Sequence, residues 1–158
     1  IACHADDALG LLSDPSPDEK TVLGAIRFQS NRATLHTDTS VLPPTPRAWA
    51  AWNYERNEVD QRSARLTYDL TRLQRLPGRH RYLVSLNMED RIDGGSVLET
   101  FDYAHPVFDR EAVEAQRRFE DIDGALGTHF VGAWWGYGFH EDGVVSALRV
   151  CRRLGVTW

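Results

Sequence analysis

The amino-acid sequence predicts a mixed α/β (α+β) fold, with helical segments flanking an antiparallel β-sheet. Apolar residues recur with the helical period of about 3.6 near both ends of the chain. Between about residues 32 and 105 the pattern changes to the alternation typical of strands. The 158 residues suffice for a real hydrophobic core. We therefore expect terminal segments 1–31 and 106–158 around a central sheet region, 32–105.

The first segment contains two predicted helices. Ile1–His4 is apolar and indicates a short buried strand, and Ala5–Leu12 carries the apolar stripe of a helix that ends before Pro15. The chain begins without an initiator methionine, as if within a strand, which favours a fragment or a cleaved chain. Ser16 followed three residues later by Glu19 is a capping box, which predicts that a second helix starts there.

The central segment is predicted to form five strands, at residues 32–37, 47–54, 63–69, 81–87 and 96–103. In the third strand, apolar residues occupy every second position: Ala64, Leu66 and Tyr68. The intervening positions are polar: Arg65, Thr67 and Asp69. Such alternation favours an antiparallel sheet with its apolar face buried and its polar face in water.

The third segment is predicted to run helix, strand, turn, helix. Asp109 is a good N-cap for a helix reaching about Glu120. Thr128–Ala133 is a short apolar strand, and a glycine-rich turn follows it. The last helix is expected over Asp142–Leu154, with Asp142 as its N-cap.

Composition narrows the classes of partner. The net charge of −5 argues against a nucleic-acid partner, whose phosphates require a basic surface. No stretch approaches the roughly 18 apolar residues of a membrane helix, so no membrane span is expected. Cys3 and Cys151 lack the spacing of a metal site, which predicts no metal and favours free thiols in a reducing cytoplasm.

Residues 128–143 are the most informative stretch. Four glycines allow the backbone to approach a ligand closely: Gly132, Gly136, Gly138 and Gly143. The amides at the following helix start suit an anion or a partly negative ring edge. Trp134, Trp135 and Tyr137 crowd the turn and either wall a flat substrate or pack in the core. The third glycine of a dinucleotide fingerprint is replaced by Glu141, so a tight turn packed by aromatics remains the alternative.

Several pieces of the chain together resemble one family over nearly its whole length. These pieces are Ala2–Asp6, Leu35–Asp38, Trp49–Tyr54, Thr67–Asp69, Leu73–Gln74, Leu86–Asn87, His105–Pro106 and Gly136–Gly143. They resemble the bacterial flavin-containing, FAD-dependent amine-oxidase-like proteins. The resemblance implies the C-terminal part of an FAD-binding Rossmann-like domain, joined to part of an antiparallel substrate domain. It also implies a partner segment, the N-terminal FAD-binding part with the fingerprint, that this chain lacks.

The resemblance assigns roles around the turn. Gly132 and Ala133 would lie near the phosphate or ribitol of FAD, and Gly136 and Gly138 would belong to the loop that crosses the flavin. The helix-start amides of Asp142, Gly143 and Val144 would lie beside the ring and stabilise charge on the reduced flavin. The implied function is hydride transfer from a small organic or lipid-like substrate to FAD.

Individual residues leave alternatives open. His140 is a candidate catalytic proton relay beside the flavin, or else a histidine packed in the turn. Relatives that oxidise amines carry a lysine soon after the first strand. Here Ala5–Leu12 has none and Lys20 comes later, so simple amine oxidation is not expected. The sequence leaves two other hypotheses for the function: a flavin-dependent isomerase or desaturase, and a non-catalytic fragment.

Overall fold

The computed structural model describes residues 1–56 and 65–156. The chain forms two compact units, which we name the helical unit (Ile1–Gln29 and His105–Trp158) and the sheet unit (Ser30–Ala104). The predicted divisions at residues 31/32 and 105/106 stand close to these limits.

The described residues form six α-helices and five strands. In chain order they are α1 (Ala5–Leu11), α2 (Pro17–Ala25), β1 (Phe28–His36), β2 (Trp52–Glu55), β3 (Arg65–Asp69), α3 (Leu70–Leu73), β4 (Leu83–Leu86), β5 (Val97–Pro106), α4 (Arg110–Gln116), α5 (Phe119–Ile122) and α6 (His140–Arg153). Among these described helices, none has the length and apolar character needed to cross a bilayer.

Two of the predicted helix starts are confirmed by their capping bonds. At α2 the Ser16 hydroxyl accepts from the Glu19 amide at 3.1 Å, and the Glu19 carboxylate accepts from the Ser16 amide at 2.7 Å. At α4 the Asp109 carboxylate accepts from the Ala112 amide at 2.9 Å. Each bond satisfies an amide that the first helical turn leaves without a backbone acceptor.

The single helix predicted from Asp109 to about Glu120 is wrong, because the chain breaks it into α4 and α5. At the break the Arg118 amide donates to the Ala115 carbonyl at 2.9 Å, the tighter spacing of a 3-10 turn. Ala115 before the break and Phe119 after it are both buried. The apolar stripe continues across the break, which is why the pattern indicated one helix.

The core of the helical unit is mainly apolar, although Glu19, Asp123 and Ser146 are also buried in this unit. Its buried residues come from the helices and the 130–135 segment: Ala5, Ala8, Val22, Leu23, Ile26, Ala112, Ala115, Phe119, Ile122, Phe130, Trp134, Trp135 and Val150. The rings of Phe119 and Trp135 meet edge to face at 5.0 Å between centroids, a favourable aromatic geometry.

Ile1–His4 and Thr128–Ala133, both predicted as strands, are not strands. The Ile1 amino group donates to the His129 carbonyl at 2.7 Å, and the Val131 amide donates to the Ile1 carbonyl at 2.9 Å. Bonds to both neighbours of Phe130 are the pattern of a parallel pair, but the pairing stops there. At Ala133 the backbone enters a 3-10 turn that buries Trp134 and Trp135, so no ladder continues.

The five strands form one sheet in the order β2-β3-β4-β1-β5. The pairs β2–β3, β3–β4 and β4–β1 are antiparallel. The Thr37 amide bonds to the Ser96 carbonyl, and the Val107 amide to the Arg27 carbonyl, so β5 also runs antiparallel to β1. An antiparallel sheet is therefore confirmed. A Rossmann-like parallel sheet is not present among the described strands and stays a prediction.

The limits of several strands differ from the prediction. The second strand was expected from Arg47, but Pro46–Ala48 forms a 3-10 turn and β2 begins only at Trp52. Pro46 stands at the start of this turn, a position that its fixed φ suits. Residues 63 and 64, expected in the third strand, lie outside the described part of the chain.

The predicted orientation of the sheet is wrong, because its polar face is the buried one. Thr67 and Asp69 on β3 are 1% and 0% exposed, whereas Leu66 and Tyr68 are partly exposed. The register aligns four polar residues across the strands, Asn53, Thr67, Ser85 and Thr34. The buried apolar cluster of the sheet unit includes Leu83 from this same face, with Val41, Leu42, Met88 and Ile92.

Candidate functional site

The glycine-rich turn is closed by its own hydrogen bonds. The amides of Gly136 and Gly138 both donate to the Ala133 carbonyl, at 3.0 and 3.1 Å. The Gly132 amide donates to the Ser146 hydroxyl on α6 at 3.0 Å. Because these three amides already have acceptors, the turn does not offer them to a ligand.

A half-buried amide side chain fastens the same turn to α4. The Gln116 Nε2 group donates to the carbonyls of Trp134 and Gly136, at 2.8 and 2.6 Å. Gln116 is the last residue of α4 and is half-buried. The turn is therefore held from one side by α4 and from the other by α6.

Asp142 lies in the first turn of α6, and its predicted position as the N-cap is wrong. The helix begins at His140 with Phe139 as its N-cap, so Asp142 is the third helical residue. Its carboxylate accepts from the amides of Tyr137 and Phe139, at 3.0 and 2.9 Å. The acidic side chain thus closes the turn onto the helix start, where the helix dipole favours negative charge.

Two of the four glycines are required by internal packing. A Cβ on Gly132 would lie 2.1 Å from Nε1 of Trp134, and a Cβ on Gly136 would lie 2.5 Å from the Asp142 carboxylate. Gly138 has a φ of +88°, which favours glycine on conformational grounds. Gly143, within α6, would bring a Cβ only to 3.9 Å from Ala133. The close approaches are made by the protein's own side chains.

The three predicted substrate-binding aromatics are separated by the structure. Trp134 and Trp135 are 4% and 7% exposed, and their indole nitrogens donate to the carbonyls of Cys3 and Phe130. Tyr137 is 81% exposed. Burial and satisfied indole groups favour core packing for both tryptophans. Their role in substrate binding stays a prediction, as does that of Tyr137.

The exposed surface at the start of α6 is where the remaining predicted residues meet. His140 and Glu141 are the first two helical residues and are exposed, and Val144 lies one turn further on. Phe139 is also exposed. The first amides of a helix have no acceptor within it and carry the positive end of its dipole. This surface combines donors with apolar side chains.

A second group of polar residues is brought together at the start of α1. Ligand atoms of His4, Asp6 and Asp7 lie within 4.8 Å of one another, with both aspartates exposed. Asp6 and Asp7 occupy the first turn of the helix, where acidic residues are favourable without a metal.

The residues that sequence reasoning missed lie in the sheet unit. His36 is fully buried; its Nδ1 accepts from the Asp38 amide at 3.2 Å and its Nε2 lies 2.9 Å from the Ser85 hydroxyl. The Ser85 and Thr67 hydroxyls are 2.7 Å apart, and Thr67 reaches Sδ of Met88 at 3.4 Å. We name His36, Ser85 and Thr67 the buried polar chain.

Burial sets the protonation of this chain. Desolvation lowers the pKa of His36, against a smaller opposing effect of Asp38, so the imidazole is neutral at neutral pH. The sequence shows that Thr34 and His36 share a face of β1. The partners of His36 depend on the register of β1, β4 and β3, which alternation alone does not give.

Comparison with protein-family models finds no match for this chain, and comparison with curated proteins finds none either.

Proposed function

We propose that this chain is part of an FAD-dependent oxidoreductase and that the start of α6 contacts the flavin ring. One observation carries the proposal. A 14-residue helix presents its exposed first turn directly after a turn that Asp142 and Gln116 hold in one conformation. The sequence resemblance assigns flavin contacts to this same segment, and half-buried Cys3 and Cys151, both free, are consistent with a cytoplasmic enzyme.

The residues of the turn and of the helix start suit the flavin ring of FAD better than its phosphates. The amides of Gly132, Gly136 and Gly138 are bonded within the protein, so they are poor ligands for phosphate. The first amides of α6, at His140 and Glu141, lack an intrahelical acceptor and suit the electron-rich edge of a flavin. On this proposal the chain binds the ring, and residues outside it bind the phosphates.

The chain's residues would act by orientation and charge. When bound, the flavin supplies the acceptor for a hydride. The α6 amides stabilise negative charge close to the helix start, where the dipole adds to their effect. The exposed rings of Tyr137 and Phe139 would present apolar surface to the flavin. His140, exposed at the helix start, would be the candidate proton relay.

The test is a binding titration of the purified chain with FAD and, separately, with lumiflavin, which has the ring but no phosphates. We expect both to be bound with similar affinity, measured by quenching of flavin fluorescence. Val144→Glu places a negative charge one turn into α6, on the exposed surface at its start, and should weaken binding of both. Leu154→Glu makes the same change of charge just beyond the far end of the helix and should leave binding unchanged.

Three outcomes would count against the proposal. Absence of lumiflavin binding would remove the ring contact, and FAD binding without lumiflavin binding would place the contact at the phosphates. Equal effects of both variants would show that α6 is not the site.

The rival activity is that of a flavin-dependent isomerase or desaturase. Lys20, the sole lysine, is exposed on α2 and does not follow the first segment as in relatives that oxidise amines. Substrate consumption without peroxide production would identify the rival activity.

A further inference from the structure

We propose that the sheet unit contains a binding site for a small neutral organic molecule bearing a carbonyl or hydroxyl oxygen. The site is a cleft of about 280 Å³ on the buried polar face of the sheet. Thr67 contributes to its floor, where the buried polar chain ends. This inference does not depend on flavin binding.

The walls of the cleft are apolar and its size suits a small ligand. The apolar lining comes from the 41–44 segment and from the residue after β4: Val41, Leu42, Pro43, Pro44 and Met88. A volume of about 280 Å³ lies just below the range of roughly 300–1,000 Å³ that is usual for small-molecule sites. A compact molecule with few heavy atoms would fill it.

The hydrogens of the buried polar chain have one consistent direction. Since the Asp38 amide donates to Nδ1 of His36, the neutral ring carries its proton on Nε2 and donates to Ser85. Since the Thr67 hydroxyl donates to Sδ of Met88, the Ser85 hydroxyl is the donor to Thr67. The Thr67 hydroxyl therefore points its own proton away from Ser85.

The acceptor of the Thr67 proton is a weak one. It is the thioether sulfur of Met88, 3.4 Å away, and both residues line the cleft. A ligand oxygen in the cleft, within hydrogen-bond reach of the Thr67 hydroxyl, would be a stronger acceptor than the sulfur and would complete the chain. The floor of the cleft thus selects an acceptor atom.

The charges of the cleft favour a neutral ligand. Arg91 and Glu55 line it and bond to each other at 2.8 Å, so their charges largely cancel. The amide of Asn53 is held by the backbone of Ala50, at 3.0 and 2.8 Å. Neither feature provides an uncompensated charge for an ionic ligand.

The chain contains its own reporter for this site, because Met88 is the only methionine. Its ¹³C-labelled methyl group gives one NMR signal. The probes are cyclohexanone and methylenecyclohexane, which share a shape but differ in the acceptor oxygen. We expect cyclohexanone to shift the Met88 signal saturably, and methylenecyclohexane to bind about tenfold more weakly, equivalent to about 1.4 kcal/mol.

Two variants assign the discrimination to Thr67. Thr67→Val keeps the shape and removes the hydroxyl, so the preference for cyclohexanone should disappear; Thr67→Ser restores the hydroxyl and should restore the preference. Equal binding of the two probes by the unmodified protein would overturn the proposal, as would no saturable shift with cyclohexanone. If Thr67→Val fails to fold, the two probes with the unmodified protein and Thr67→Ser still decide. Failure here leaves lumiflavin binding at α6 unaffected, so the two proposals fail separately.

Discussion

The two units differ in the share of polar side chains that they bury. In the helical unit the core is built from apolar side chains, and its two buried indoles bond to backbone carbonyls. In the sheet unit the covered face carries His36, Thr67 and Ser85, which bond to one another across three strands. Polar residues are stable inside when every partner is supplied. The contrast shows that burial follows satisfied partners as well as hydrophobicity.

The largest effect is expected in the apolar core. Phe130 is 0% exposed, so Phe130→Ala should reduce the free energy of unfolding by about 3–5 kcal/mol, through lost burial and the cavity left behind. Denaturant unfolding measures it. Phe139→Ala, at an exposed ring nine residues later, should change stability by less than about 0.5 kcal/mol. Similar losses for both would show that the 130–139 segment is not packed as described.

Two substitutions on the buried polar face should change the free energy of unfolding in opposite directions. Ser85→Ala leaves His36 and Thr67 without their shared partner and should cost about 1–3 kcal/mol. Thr34, opposite Ser85 in the register, is buried and its hydroxyl has no partner among the described residues. Thr34→Val should therefore be neutral or stabilise by about 1 kcal/mol. Opposite results from the same unfolding assay would contradict the network.

Alanine substitutions of one glycine in the turn and one in α6 should distinguish the effect of packing from that of helix propensity. Gly136→Ala forces the Asp142 carboxylate away and should destabilise by about 1–3 kcal/mol. Gly143→Ala meets ordinary contacts within α6 and should stabilise by about 0.5–1 kcal/mol. Thermal unfolding of the two variants measures both changes. A stabilising Gly136→Ala would refute the closed turn.

The smallest expected effect is the dependence of the free energy of unfolding on pH. Burial lowers the pKa of His36 from 6.5, so as pH falls below 6.5 the unfolded chain gains a proton that the folded chain does not. Stability should therefore decrease as pH falls through this window. His105, whose pKa burial also lowers, acts with the same sign. His36→Gln should flatten the dependence by more than His105→Gln does, and an unchanged slope in His36→Gln would contradict a buried neutral imidazole.

Sequence patterns were sufficient where local chemistry decides the structure. The Ser16–Glu19 capping box and the Asp109 cap are contacts between residues three apart, so their motifs predicted the starts of α2 and α4 correctly. The five strands of the sheet were located, with their limits displaced by a few residues. The helix start was misplaced at Asp142 because an acidic residue suits both the N-cap and the first turn.

The remaining features depend on contacts distant in sequence. Alternation in β3 showed two different faces, but which face is covered depends on the 41–42 and 88–92 residues that pack there. The four glycines suggested a ligand, whereas Trp134 and Asp142 fill the space beside Gly132 and Gly136. The sequence does not show that His36 meets Ser85, because the two residues are 49 positions apart.

The pairing of β1 with β5 has a consequence for engineering. The chain enters the sheet unit within β1 and leaves it within β5, and these neighbouring strands are antiparallel. Entry and exit therefore lie side by side, about one strand spacing apart. A two-residue hairpin turn can span that distance. We therefore expect that the helical unit can be produced with a hairpin loop in place of Ser30–Ala104.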